Sequence, residues 1–411
     1  MSQDVRPSLL LLPYPPDPIT RDSLNAAYRP SIKATLQKLN NSNGGTQLII
    51  AVACPILSGQ FIRSKTLSWP QAQTLVAGIY GVISVLCAQL SIGTEVNGGP
   101  HSVDSTVVLI DDDRNKHCRE DFRPAIDPNN TAIVDMATFA SAYYPWDNIF
   151  TVRSELGYQV AQSYLKFAEG KQNLLQSQLV PVEGGLVLNI ANNNSLSGPA
   201  QTSTYPTVCL GGTFDYLHPG HKLLLTAGAL LLQVPRTSDL TTTPPSQYII
   251  GITGDEMLRN KKFAEFVQPW EERARNVLAF LAQLLELSPR GWKDGPRLQI
   301  EESDGDFQAT FRDGTIRVQC VRIQDAFGPT ITVEGIDALV VSGETRSGGK
   351  AVNDKRAEKG WHVLDVFEVD VLDAKEKEDV GEEPTKTEDF ASKISSTAIR
   401  QQRAAKAQTK I

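Results

Sequence analysis

Apolar runs and polar interruptions alternate along this chain at the lengths of strands and helices. Gln47 to Leu57 is an apolar run of strand length, and Trp69 to Leu90 is apolar over the length of a helix. Ser105 to Ile110 reads as a second strand, Asn148 to Val152 as a third, and Ser154 to Gln172 as the helix that follows it. This alternation predicts an α/β domain over residues 31–190. Residues 1–30 carry several prolines and are expected to be loosely ordered; Leu9 to Leu12 is too short for a secretory core. Asn192 to Thr204 is polar and turn-rich with no apolar period, which predicts a linker over 191–204.

The alternation resumes over 205–411. Strands are expected at 206–210, 248–253, 318–323, 337–341 and 362–369, and helices at 219–233, 270–287, 348–359 and 395–406. The fold class is therefore α/β, a Rossmann-like doubly wound parallel sheet preceded by a second α/β domain of unassigned role. In such a sheet ligands bind beyond the carboxyl ends of the strands, at the switch point. Three inserts interrupt the pattern: Pro235 to Gln247, rich in threonine and proline; Pro289 to Thr315, with the look of a hairpin; and 373–389, dense in lysine and acid, expected to be a solvated connector with a lid role left open.

Composition narrows the class. At 411 residues two domains are expected. A net charge of −7 and a pI near 5.4 argue against a nucleic-acid surface, which would need a basic stripe. Five cysteines, odd in number and without a Cys-x-x-Cys pair, suit reduced thiols and neither a disulfide frame nor a zinc site. The longest apolar run, Leu75 to Ala88, falls short of a membrane span and reads as a core helix. A soluble, cytoplasmic protein is expected.

Candidate chemistry concentrates between Val208 and Leu225, where a buried strand meets a glycine turn and a helix opening on His218 and His221. With Pro219 at the first helical position, the two imidazoles fall about one turn apart and can converge. Gly211 and Gly212 let backbone approach a ligand closely, and the free amides of the new helix favour an anion. Two of the chain's five histidines are spent on this single turn. The arrangement suits a phosphate that gains charge during a reaction. Far downstream, Ser395, Ser396 and Thr397 offer hydroxyls at a helix start, with Arg400 one turn on. Asp111 to Cys118 follows a strand and reads as a polar turn, and Asp215 as a turn or capping residue; no metal cage is visible.

The sequence Gly-Gly-Thr-Phe-Asp-x-Leu-His-x-Gly-His resembles the signature of the nucleotidyltransferase superfamily with a His-x-Gly-His motif. Lys393-Ile-Ser-Ser-Thr-Ala-Ile-Arg400 resembles its Ile-Ser-Ser-Thr-x-Ile-Arg element. The segments Met257 to Arg273, Ile323 to Thr330 and Val340 to Gly360 resemble the eukaryotic-type phosphopantetheine adenylyltransferases, the last of them the adenylyltransferase part of the bifunctional coenzyme A synthase. The resemblance covers about residues 205–411. It implies AMP transfer from ATP to 4′-phosphopantetheine, giving dephospho-coenzyme A and pyrophosphate by in-line attack without a covalent enzyme intermediate.

Residue roles follow by the same resemblance. His221, His218 and Lys261 would be catalytic. Gly211, Gly212, Phe214, His218, His221, Arg346, Ser395, Ser396, Thr397 and Arg400 would bind ATP. Thr213 and Lys261 or Lys262 would take the phosphopantetheine phosphate. Mg²⁺ would arrive with ATP, held mostly by phosphate oxygens and water, and no tightly bound organic cofactor is implied. A homo-oligomer or an assembly with other coenzyme A pathway enzymes stays open. No Gly-x-x-x-x-Gly-Lys-[Ser/Thr] loop occurs, so the kinase of the bifunctional synthase is not expected here. Residues 1–200 show no catalytic constellation, and a scaffold or oligomerisation role is the default. The alternatives are a cytidylyltransferase acting on a phospho-alcohol and an inactive nucleotide-binding scaffold.

Overall fold

The computed structural model describes residues 6–40, 44–59, 65–96, 98–113, 129–142, 145–187, 201–286, 298–370 and 396–408. In the first half the elements are β1 (Ser8–Leu12), α1 (Arg21–Leu39), β2 (Thr46–Cys54), β3 (Leu57–Ser58), β4 (Thr66–Leu67), α2 (Trp69–Leu90), β5 (Val103–Asp111), β6 (Val134–Asp135), α3 (Met136–Ala142), β7 (Ile149–Arg153), α4 (Glu155–Ala168) and β8 (Leu179–Glu183). The second half supplies β9 (Thr207–Gly212), α5 (Pro219–Ala229), β10 (Ser246–Thr253), α6 (Trp270–Leu285), β11 (Glu301–Ser303), β12 (Asp306–Phe311), β13 (Ile316–Ile323), β14 (Ala338–Ser342), α7 (Arg346–Glu358), β15 (Asp365–Val369) and α8 (Ser396–Gln408).

The first sheet has the order β6-β5-β2-β1-β7-β8, with every neighbouring pair parallel. The expectation of loose order over 1–30 fails here. Ser-Leu-Leu-Leu-Leu of β1 lies at the sheet's centre and is buried on both faces, and α1 begins at Arg21 on a Thr20 cap. A parallel strand covered on both faces reads as a short continuous apolar run, with none of the alternation that marks a half-buried strand. The first α/β unit therefore starts at Ser8 and not at residue 31.

The second sheet has the order β11-β12-β13-β10-β9-β14-β15. Five strands, β13 to β15 in that order, are parallel, and the β11–β12 hairpin adds antiparallel to β13, at the insert where a hairpin was expected. The chain moves outward through β9, β10 and β13 and then returns to β14 and β15 on the other side. The switch point thus lies beside the carboxyl end of β9. The connector 373–389 and most of the linker 191–204 lie outside the described residues.

The two sheets do not stand apart. One apolar cluster runs from Leu9 through the α2 residues Leu75, Ile79 and Ile83 to Leu223, Val277 and Val340. Trp69 at the start of α2 donates its indole N–H to Ala227 O at 2.9 Å, and Thr106 of β5 bonds Gln283 of α6 at 2.6 Å. Helix α2 is long and apolar enough to cross a membrane by length and composition, yet most of it is buried inside this shared core. Among the described cysteines, Cys54, Cys87, Cys209 and Cys320 are buried free thiols, and burial pushes Cys209 up to about 12.

Candidate active site

The site forms where β9 ends. The turn after Gly212 requires left-handed backbone at two residues that are not glycine, Phe214 (φ 53°) and Tyr216 (φ 45°). Such conformations cost free energy and persist where the surroundings over-determine them. Here the surroundings are visible. Phe214 is fully buried with its ring 5.3 Å from that of His221, and a Cβ on Gly212 would sit 3.0 Å from the Phe214 ring. Tyr216 N donates to Gln268 Oε1 at 2.7 Å, while Gln268 N donates to the Asp215 carboxylate at 3.0 Å.

His218 caps α5 with extended backbone, and Pro219 occupies the first helical position as expected. The imidazoles of His218 and His221 are stacked, with centroids 3.8 Å apart and planes 20° from parallel. Gly220 makes room for this, since a Cβ there would lie 3.2 Å from the His218 ring. Nδ1 of each ring is buried and finds no hydrogen-bond partner among the described residues.

Both rings are held neutral. Burial, helped by the Lys222 ammonium, pushes His218 from the ordinary 6.5 down to about 3. Burial, then the neighbouring His218 and Lys261, pushes His221 in the same direction. Between the depressed native value and the ordinary one, the unfolded chain binds more protons, so stability is lost as pH falls below about 6.5. His218 alone predicts a loss of about 2 kcal/mol near pH 5. Urea unfolding at pH 7 and pH 5 checks this, with a His218→Gln variant expected to show a smaller difference.

Lys261 and Thr213, both expected on the acceptor side, are brought together at 3.1 Å between Nζ and Oγ1. Lys262 contributes its backbone carbonyl, which accepts from Arg400 Nε at 3.1 Å. Arg346 is paired instead with Glu368 at the ends of β14 and β15 and is half exposed. Ser396 Oγ donates to Asp215 O at 2.8 Å, and Thr397 Oγ1 accepts from Arg400 Nη2 at 3.0 Å. Ser395 lies outside the described residues. Arg400 is 2% exposed, and its Nη1 meets the fully buried Asp215 carboxylate at 2.5 Å. Its guanidinium is committed to fastening α8 onto the turn after β9.

Asp215 is thus an ion-pair partner, more than the turn or capping residue its sequence position suggests. Arg273, fully buried in α6, escaped notice as well. It donates to Thr213 O at 2.7 Å, to Gln268 O at 2.9 Å and to Asp255 at 2.6 Å, so one guanidinium ties the glycine turn to the Lys261 segment. The only signal was an arginine on the apolar side of an amphipathic helix. Among the described residues no group of three or more His, Cys, Asp or Glu is placed to hold a metal ion. Asp111 is instead paired with Lys65, and His117 and Cys118 lie outside the described residues.

A family model described as a domain of unknown function (DUF8446) matches residues 1–188. A phosphopantetheine adenylyltransferase of Saccharomyces cerevisiae is 32% identical over 245 residues, which is 59% of this chain and 67% of that protein. One of Thermococcus kodakarensis is 29% identical over 168 residues, 41% of this chain and 76% of that protein. A crystal structure of a protein with unknown function from Archaeoglobus fulgidus matches 40% of this chain at 26% identity, with a TM-score of 0.25. At two thirds of the yeast protein's length and that identity, the chain belongs to the phosphopantetheine adenylyltransferase family.

Proposed function

We propose that the protein transfers the adenylyl group of ATP to 4′-phosphopantetheine, giving dephospho-coenzyme A and pyrophosphate. The observation that carries this reading is the stacked His218–His221 pair at the start of α5, close to the Lys261–Thr213 contact. A phosphate oxygen of the acceptor attacks the α-phosphorus in line. The new P–O bond forms as the bond to pyrophosphate breaks, and no enzyme group is modified. Catalysis is then positioning plus stabilisation of growing charge.

His221 donates an imidazole N–H to an α-phosphate oxygen, and His218 supports the triphosphate beside it. A neutral imidazole serves here as a hydrogen-bond donor that keeps its proton. Lys261, a compact charge on a flexible stem, holds the acceptor phosphate with Thr213. The amides after Gly211 and Gly212 and those opening α5 favour the same anions. With Arg400 engaged by Asp215, the β- and γ-phosphates fall to the first turn of α8 with Ser396 and Thr397, and Arg400 acts by holding that helix in place. Mg²⁺ accompanying ATP, held by phosphate oxygens and water, would neutralise charge on the departing pyrophosphate.

The test is pyrophosphate release from purified protein given ATP, Mg²⁺ and 4′-phosphopantetheine, with CTP and phosphoethanolamine as the paired control. Release in the first mixture alone, with dephospho-coenzyme A as product, is expected. Release only in the second would move the protein to the cytidylyltransferases, and release in neither would leave a binding scaffold.

A further inference from the structure

Lys222 directly follows His221 in the first turn of α5, and its backbone N–H makes the helix's first hydrogen bond, to His218 O at 3.0 Å. Its ammonium is 1% exposed, ion-paired with Asp104 and donating to Ser105 O at 2.9 Å. Asp104 and Ser105 belong to β5, in the other half of the chain.

A lysine is poorly placed by ordinary rules at this position. The start of a helix carries partial positive charge, so a cation in the first turn is disfavoured. A buried ammonium is tolerated only when paired and hydrogen-bonded. Asp104 supplies the counter-charge and the neighbouring Ser105 O accepts a further hydrogen bond, both from β5 of the first sheet. The far end of α5 is also held from the first half, by the Trp69 indole on Ala227 O. The helix that presents the histidines is therefore gripped near both ends by the domain of unassigned role.

We infer that Asp104 is a positioning residue for the His218–His221 pair, acting through Lys222, so that the first half of the chain is part of the transferase apparatus. The inference rests on the adenylyl-transfer reading for its kinetic consequence, but ring placement can be read without any reaction. Asp104 fixes the Lys222 side chain, Lys222 fixes the first turn, and the first turn fixes the angle at which two stacked rings meet a phosphate. A small misplacement of such groups is enough to slow a reaction that depends on orientation.

The experiment compares full-length wild type with Asp104→Asn and with the double variant Asp104→Leu/Lys222→Met. The double variant removes both charges, and buried pairs replaced together by apolar groups are commonly well tolerated, so it should melt close to wild type. Two quantities are measured: kcat and KM for pyrophosphate release, and the ¹⁵N imidazole NMR signals of His218 and His221, assigned by single substitution. The expected result is a kcat lowered about 10- to 100-fold in the folded double variant, with KM for ATP nearly unchanged and both ring signals displaced. A double variant with kcat within about twofold of wild type would overturn the inference, since a merely stabilising pair need not move kcat. If wild type itself releases no pyrophosphate from either substrate pair, the reaction assignment fails. The NMR signals then decide alone: displaced rings uphold the positioning role, and unmoved rings end it.

Discussion

Replacing Asp215 with asparagine is expected to cost about 3–5 kcal/mol of stability and to loosen α8 from the site. The magnitude follows from burial on both sides of the pair: Asp215 is fully buried and Arg400 is 2% exposed, so the arginine would keep its charge after losing its buried counter-charge. Removing one member of such a pair is far worse than removing both. An Asp215→Asn/Arg400→Met double variant should therefore recover much of the lost stability while still failing to hold α8 in register. Thermal unfolding reads the first effect, and hydrogen exchange over residues 396–408 reads the second. Wild-type melting of the single variant would mean that the pair does not fasten the helix.

His221→Ala should lower kcat about 10²- to 10³-fold, the usual cost of losing one preorganised donor to developing charge. KM for ATP should move much less, because the amides after β9 and at the start of α5 remain. Stability should fall only modestly near pH 7 and should become less sensitive to acid, since a group depressed by burial has been removed. Turnover that survives this change would refute the role given to His221 and weaken the transfer mechanism as a whole. Lys261→Ala offers the contrast: with the acceptor phosphate as its expected partner, it should raise KM for 4′-phosphopantetheine more than for ATP.

The alternating pattern made most of the second sheet legible, because its strands and helices follow one another at ordinary loop lengths. The His218–Pro219 start of α5 was legible for a local reason, since proline at the first helical position and glycine beneath a ring are choices made within four residues. The central strand β1 was not, as a buried parallel strand carries no alternation. The partners of Arg400, Arg273 and Lys222 were hidden for a different reason. Asp215 lies 185 residues from Arg400, and Asp104 lies 118 from Lys222, so neither pairing leaves a mark in local spacing. The choice between Lys261 and Lys262 was likewise beyond sequence, although the fold sets Lys261 against Thr213 and turns the carbonyl of Lys262 to Arg400.

Asp215 and Arg400 also differ in when they are made. A ribosome completes the whole turn after β9, including the buried carboxylate, well before it adds the arginine that neutralises it 185 residues later. Contacts of such separation form late, after the loop between them has closed. The nascent second sheet must therefore carry the Asp215 carboxylate without its counter-charge through most of its synthesis, and the turn after β9 is locked by α8 only once β15 has been made.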